Sequence, residues 1–422
     1  MSYAYDTAGR KIKESDTLGN SVTYTHDAKG SVLTKTDANG NVTAYAYDPL
    51  SRLTALTDPS GGITGYEYNL NGLLTSLNDP AGNTTAYEYN NVGQVVRSVS
   101  PDAGQTVYEY YSDGSLKSKT DADGVTVTYL YDEAGCLIKV SFPDPSENIT
   151  YTYSSPDSDN STGRLSEIID PSGRTVYHYD LSGRIVEEIR TVSGITYTTS
   201  YEYSSTGNPA AVTYPTGRRV EYAYDSLNRP AGVITDADNT SDILADNFTY
   251  DPAGNLLSFD YGNGLSQSWS YNAANRLTGI NIPGIMNYAY SHDPAGNITK
   301  ITDSLNPSAS KAFIYDPSDR LVSASGSWGN LSWTYDANGN RLTQNDGTAA
   351  DTYTYNANRL MSVTSDGQTR NYQYTESGRI TNDGIRELTY NRNNRLISVA
   401  KNNETAGEYR NLSEYYAEYF CI

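Results

Sequence analysis

Histidine, cysteine, tryptophan and methionine are all scarce in this 422-residue chain, at 3, 2, 3 and 3 copies. Each scarcity excludes something. Two isolated cysteines, Cys136 and Cys421, make neither a metal motif nor a disulfide framework. The histidines His26, His178 and His292 have no metal-ligand spacing, and the first two read as strand positions. No apolar run approaches the ~18 residues of a membrane-spanning helix. The opening MSYAYDTAGR has neither the basic nor the apolar stretch of a signal peptide. Positive charge is also short: 30 Lys and Arg face 50 Asp and Glu, for a net charge of −20. Nucleic acid is therefore excluded as a partner, because its binding rests on cations neutralising phosphate, and anionic membrane surfaces are disfavoured.

Catalytic signatures are missing too. There is no Gly-x-Ser-x-Gly elbow and no Gly-Lys step for a phosphate loop, and GNGLSQ at Gly262 lacks the third glycine of a dinucleotide fingerprint. The frequent Asp and Asn lack the nine-residue glycine-rich rhythm of calcium-binding β-helices, so turn chemistry accounts for them better. No catalytic, cofactor-binding or metal-binding residue is assigned, and no enzyme activity is expected.

What the chain has in excess is tyrosine, 40 copies against 5 Phe. Tyrosine suits a half-buried β-surface, since its ring packs while its hydroxyl reaches water or a partner. The tyrosines recur as Tyr-x-Tyr. Anchored on the second aromatic, the repeat runs Tyr5, His26, Tyr47, Tyr68, Tyr89, Tyr110 and Tyr131 at intervals of 21 residues. It continues, less evenly, through Tyr153, Tyr179, Tyr203, Tyr224, Tyr250, Tyr271, Tyr290, Tyr315, Tyr335, Tyr355, Tyr374 and Tyr390. That makes about 19 units, and the pairs absorb 32 of the 40 tyrosines.

Each unit spells out its own structure. In NVTAYAYD, Thr43, Tyr45 and Tyr47 alternate at period two and line one face of a strand. Asp-x-x-Gly follows, as in Asp6 to Gly9 and Asp251 to Gly254, the pattern of a type I turn closed by a left-handed glycine. A return strand opens Arg-Leu or Arg-Ile (Arg52-Leu53, Arg184-Ile185) and ends at a second Asp-x-x-Gly, often followed by Asn, as at Asp79 to Asn83. No stretch shows a helical period. Nineteen such hairpins supply about 38 strands, a sheet roughly 180 Å wide at the ~4.8 Å strand spacing. Open sheets rarely exceed ~10 strands before twist makes them curl. Rolled once, this one would be ~60 Å across, too wide for side chains to fill. The expected fold is all-β: tandem hairpins rolled into a large hollow coiled shell, or an open segment of one.

The Tyr-Asp step, the Gly-Arg-Leu after it, the 21-residue period and the DPAGN turns resemble the YD (Rhs) repeat family, over essentially the whole chain. That family includes bacterial polymorphic toxins, wall-associated proteins, insecticidal toxin-complex components and the extracellular shell of animal teneurins. The resemblance implies a secreted or cell-surface β-shell that encapsulates or carries an effector, with that effector or the rest of a longer shell as partner. In toxin members an Asp-Pro-x-x-Gly-Arg-Phe-Leu motif closes the shell beside an aspartate-dependent self-cleavage. Here Asp58-Pro59, Asp79-Pro80, Asp170-Pro171, Asp251-Pro252 and Asp293-Pro294 are all repeat turns, and none leads into Gly-Arg-Phe-Leu. No residue of that machinery is carried over.

Residues 1–410 read as one YD-repeat array, and 411–422 as an aberrant tail. The period places a tyrosine at 411, where Asn411 stands, two residues after Tyr409. The expected explanation is a broken reading frame near Arg410 or a remnant of a longer gene; an atypical capping segment is the alternative. A second function is a carbohydrate-binding surface, because aromatic ladders stack on sugars. Only Trp269, Trp328 and Trp333 could serve it in the manner of tryptophan-rich wall-binding modules. Self-association through exposed strand edges is expected in either case.

Overall fold

In the computed structural model the described residues are 1–154, 163–237, 240–401 and 404–408. They contain forty strands, two short 3-10 turns at Pro145–Glu147 and Pro307–Ala309, and no α-helix. Thirty-five strands, from Ser2–Tyr5 to Gln368–Asn371, form one antiparallel sheet, and the last five form a second. By contact the chain separates into two compact units. One comprises Met1–Gly104, Tyr250–Ser258 and Ser266–Gln373; the other comprises Gln105–Thr249, Phe259–Leu265 and Tyr374–Ile422. The tail at 411–422 lies outside the described residues.

The hairpins follow the repeat. The anchor tyrosine ends the first strand and pairs with the residue six positions on, as in Tyr47↔Leu53, Tyr68↔Leu74 and Tyr179↔Ile185. A β-bulge falls between the anchor and the residue before it in each of these hairpins. The tyrosine two residues earlier sits opposite an aliphatic side chain, as in Tyr45↔Leu56, Tyr66↔Leu77 and Tyr129↔Val140. Such cross-strand pairs are what stabilise a sheet face. Full burial is rare: only ten apolar residues are buried among those described. Four of them, Leu137, Val140, Ile149 and Tyr151, form one cluster in the second unit, with Tyr129 and Ile168 packed against it.

The register corrects one anchor. The Tyr-x-Tyr motif points to Tyr290, but the strand Met286–His292 runs two residues further, and His292↔Ile298 occupies the bulged anchor position. The even 21-residue step from Tyr271 therefore leads to His292, a second histidine in a tyrosine slot beside His26. Turn geometry is as expected: Gly9 and Gly82 sit at φ 77° and 85°. Ser51, Asn228, Asn275, Asp319 and Asn394 take the same left-handed position at φ 59–66° without a glycine.

Candidate functional site: the turns and the seam they build

Two kinds of turn join the strands, one after the anchor and one after the return strand. The near turn follows the anchor; it ends in Arg at Arg10, Arg52, Arg184, Arg229 and Arg320, and in Asn at Asn255, Asn297 and Asn340. Asp48 Oδ1 accepts the backbone N–H groups of Leu50 and Arg52 at 2.9 and 3.0 Å, and Oδ2 takes the Arg52 Nε at 2.6 Å. Asp6, Asp180, Asp225 and Asp316 hold Arg10, Arg184, Arg229 and Arg320 in the same way. The backbone N–H of the arginine, first, and its guanidinium hold the carboxyls of Asp6, Asp48, Asp180 and Asp225 below the usual carboxylate range.

The arginine then reaches the next hairpin. Arg52 lies 4.8 Å from the ring centre of Tyr68 and donates to the Asn69 carbonyl at 3.0 Å. Arg184 covers Tyr203 at 4.5 Å, and Arg320 covers Tyr335 at 5.1 Å while donating to the Asp336 carbonyl. The anchor tyrosine answers in the opposite direction. Tyr68 donates its hydroxyl to the Leu53 carbonyl at 2.9 Å, the residue paired with Tyr47 at the bulge of the preceding hairpin. Tyr47, Tyr89, Tyr153, Tyr179, Tyr203, Tyr315, Tyr335 and Tyr355 do the same, at 2.6–3.1 Å. The bond explains the bias toward tyrosine: phenylalanine would pack equally well but leave the bulge carbonyl without this donor. His26 stands in a tyrosine slot, and its Nδ1 is buried without a partner. Burial raises the pKa of Tyr179 and Tyr203, and that of Tyr177 to about 12.

The far turn follows the return strand and ends in Asn at Asn20, Asn41 and Asn83, in Gly at Gly62 and in Arg at Arg218. Asn20, Asn41 and Asn83 donate their amides to Asp16, Asp37 and Asp79 at 2.8–3.0 Å. In the first unit these far turns face the near turns of hairpins 254–260 residues further along the chain. Asn39 donates to Asp293 Oδ2 at 2.9 Å and accepts the Ala295 N–H at 3.3 Å. Ser60 and Ser318 share a hydrogen bond at 2.7 Å. Asn338 donates to Asp79 Oδ2 at 2.7 Å and accepts the Ala81 N–H at 3.0 Å. Asn358 places its backbone N–H and side-chain amide on Asp102, both at 2.8 Å. Thr17 reaches the Ala273 carbonyl, and Arg276 reaches Asp16 at 3.3 Å. The second unit has its own seam: Arg379 and Ser377 meet Asp123, and Asn394 donates to Asp121 at 2.9 Å.

The seam uses a matched pair of turns. DANGN at 37–41 meets DPAGN at 293–297, and DPAGN at 79–83 meets DANGN at 336–340. Each time the third-position Asn clasps the aspartate and the third-position N–H of its opposite number. A cavity of about 360 Å³ lies on this seam, with Lys35, Asp37, Asp58, Pro317, Arg320 and Asn338 in its wall. Asp37, Asp58 and Arg320 are already engaged in turns, and no group of three His, Cys, Asp or Glu among the described residues could hold a metal. The structure does not assemble the tryptophans into a ladder. Trp333 is half-buried and donates to Gln344 at 3.1 Å, while exposed Trp328 lies under Lys311.

Models of known families match this architecture along the chain. Residues 1–197 match the teneurin YD-shell, and residues 203–241 and 250–284 match the RHS repeat. The two together span well over half of the sequence. The chain belongs to the YD/RHS-repeat family.

Solved structures share the fold of this YD-repeat chain. A crystal structure of TcdB2-TccC3-TEV is 20% identical with a TM-score of 0.77, over 96% of this chain and 25% of that one. The Tc holotoxin pore of Photorhabdus luminescens, with a TccC3 variant, is 20% identical with a TM-score of 0.76, over 94% and 24%. TcdB2-TccC3 without its hypervariable C-terminal region is 19% identical with a TM-score of 0.74, over 94% and 24%. At that identity the likeness establishes the fold, and the YD-repeat chain spans about a quarter of the length of these neighbours. No curated protein matches it in sequence.

Proposed function

We propose that this chain is a stretch of casing: a non-enzymatic YD-repeat wall that encloses or carries an effector within a secreted or cell-surface toxin-type assembly. The observation that carries the proposal is the staple. Charged and hydroxylated side chains along the sheet engage one another from hairpin to hairpin, through Asp-Arg-Tyr along each row and Asp-Asn across each seam. Such chemistry builds a wall. Likeness in fold to chains of toxin complexes supports the choice of assembly, and the effector, or further shell of a longer parent, is the partner it would take. Residues 1–410 act as one array in this proposal, with 411–422 as the point where the repeat frame breaks.

The test is a protection experiment on the whole parent product. The gene is read beyond Ile422 in all three frames, the complete product is purified, and a non-repeat segment encoded with it is followed under proteinase K. Survival of that segment until the shell is unfolded by urea supports enclosure. Its digestion at the same rate as the free segment overturns it. The sugar-binding alternative gains nothing from two half-buried tryptophans, Trp269 and Trp333, and one exposed one, Trp328, and retention on wall polysaccharide that is lost in Trp269→Ala/Trp333→Ala would revive it.

A further inference from the structure

Asn39 and Asn338, the two clasping residues of the first seam, are each followed by glycine. We propose that both are deamidation sites gated by the seam, and that their conversion makes a parting of the two hairpin rows one-way.

The chemistry is that of an Asn-Gly step. The Gly40 nitrogen attacks Cγ of Asn39, an N–Cγ bond forms, the Cγ–Nδ2 bond breaks and ammonia leaves; water then opens the cyclic imide to aspartate or isoaspartate. Glycine permits this because no Cβ hinders its nitrogen. With the seam closed, the leaving amide is held: Asn39 Nδ2 is bonded to Asp293, and Asn338 Nδ2 to Asp79 and to Asn358 Oδ1 at 2.7 Å. With the seam parted, nothing across it holds them. Once converted, each position carries a carboxylate where an amide donor stood, facing the carboxylate of Asp293 or Asp79. Two like charges at hydrogen-bond distance repel, and the clasp cannot re-form as it was.

The molecule contains its own controls. Asn71-Gly72 and Asn263-Gly264 lie in turns of the same kind, with the glycine N–H bonded back across the turn at 3.0 and 2.8 Å, as Gly40 and Gly339 are at 3.1 and 3.2 Å. Asn71 and Asn263 are exposed and outside the seam. The backbone bond of the glycine is therefore common to all four; Asn263 Oδ1 accepts the Leu265 N–H at 3.1 Å within its own turn, whereas Asn39 and Asn338 are bonded across the seam.

The test is a time course of the intact protein at pH 8 and 37 °C, with peptide mapping by mass spectrometry. Asn71 and Asn263 should convert first, with Asn39 and Asn338 at least about fivefold slower because reaction there waits on local opening. Asp293→Ala should shorten the lag at Asn39 alone, and Asp79→Ala, which leaves the bond to Asn358, should shorten the lag at Asn338 alone. Equal rates at all four sites in the unmodified protein overturn the gating. For the one-way step, Asn39→Asp with Asn338→Asp should lower Tm by several degrees relative to Asn71→Asp. An unchanged Tm overturns that step, and the unmodified time course decides the gating even if the double variant folds poorly.

Discussion

Near turns and far turns have the same backbone, and their side chains reach in two directions. Both begin with an aspartate that accepts the N–H groups two and four residues on, as Asp48 and Asp79 show. Where the near turn ends in arginine, as at Arg52, the side chain reaches the following tyrosine and ties the hairpin to its successor. The turns that clasp across the seam, far turns 37–41 and 79–83 and near turns 293–297 and 336–340, all end in asparagine, which satisfies its own aspartate. Their tips make the bond to a turn more than 250 residues away. Arginine serves both directions, since Arg276 and Arg320 also reach Asp16 and Ser60 across the seam. The lesson is that the fifth residue fixes the turn and the link along the sheet, while the tip residue makes the clasp.

Acid should erase the comparison first. Aspartates in both classes, Asp48 in a near turn and Asp16 and Asp79 in far turns, are held below the ordinary value by the N–H groups, amides and guanidinium groups bonded to them. A folded-state pKa below the unfolded one contributes stability that is present above about pH 4 and lost as pH falls through the folded value. Asp346, held at about 2 by Thr348 and Ala349, marks the lower end of that window. Cooperative loosening of the hairpins between about pH 4 and pH 2, followed by hydrogen exchange at the turn amides, is expected. Unchanged protection across that range would show that the turns do not rely on ionised aspartate.

A single substitution should separate the two classes. Asp79→Ala removes the acceptor for Asn83, Asn338 and the Ala81 N–H together. It should cost about 2–3 kcal/mol and raise exchange on both rows around residues 81 and 338. Tyr68→Phe, by contrast, should cost about 1 kcal/mol and raise exchange only between neighbouring hairpins, near Leu53 and Asn69. If Tyr68→Phe loosened the distant row as strongly as Asp79→Ala, the division of labour would fail. The smallest effect has the opposite sign. Ser51→Gly relieves a left-handed serine at φ 62° and should raise stability by a few tenths of a kcal/mol, the strain released less the backbone entropy glycine adds. Urea denaturation resolves it.

Much of this was legible locally. Alternation around Tyr45 and Tyr47 marks a strand, and Asp-x-x-Gly marks the turn, because both patterns are complete within a few residues. Two features escaped. His292 stands where the ladder register needs an anchor, yet the neighbouring Tyr288 and Tyr290 carry the visible motif, so composition points two residues too early. The arginine after the turn was visible as a recurring letter, but its role depends on a tyrosine some 15 residues on. The one available signal was that Arg, and not Lys, recurs at that place: a planar guanidinium can bond the aspartate, the next carbonyl and the ring face together.

By itself the sequence determined the hairpin: strand polarity, turn type, the identity of the tyrosine face and the all-β class, since each follows from side-chain alternation and turn stereochemistry within about 21 residues. Only the tertiary structure decided which turn meets which. DANGN and DPAGN are ordinary repeat endings in the sequence. They become clasps because the folded sheet brings residues 254–260 positions apart within hydrogen-bonding distance, a separation no local pattern encodes.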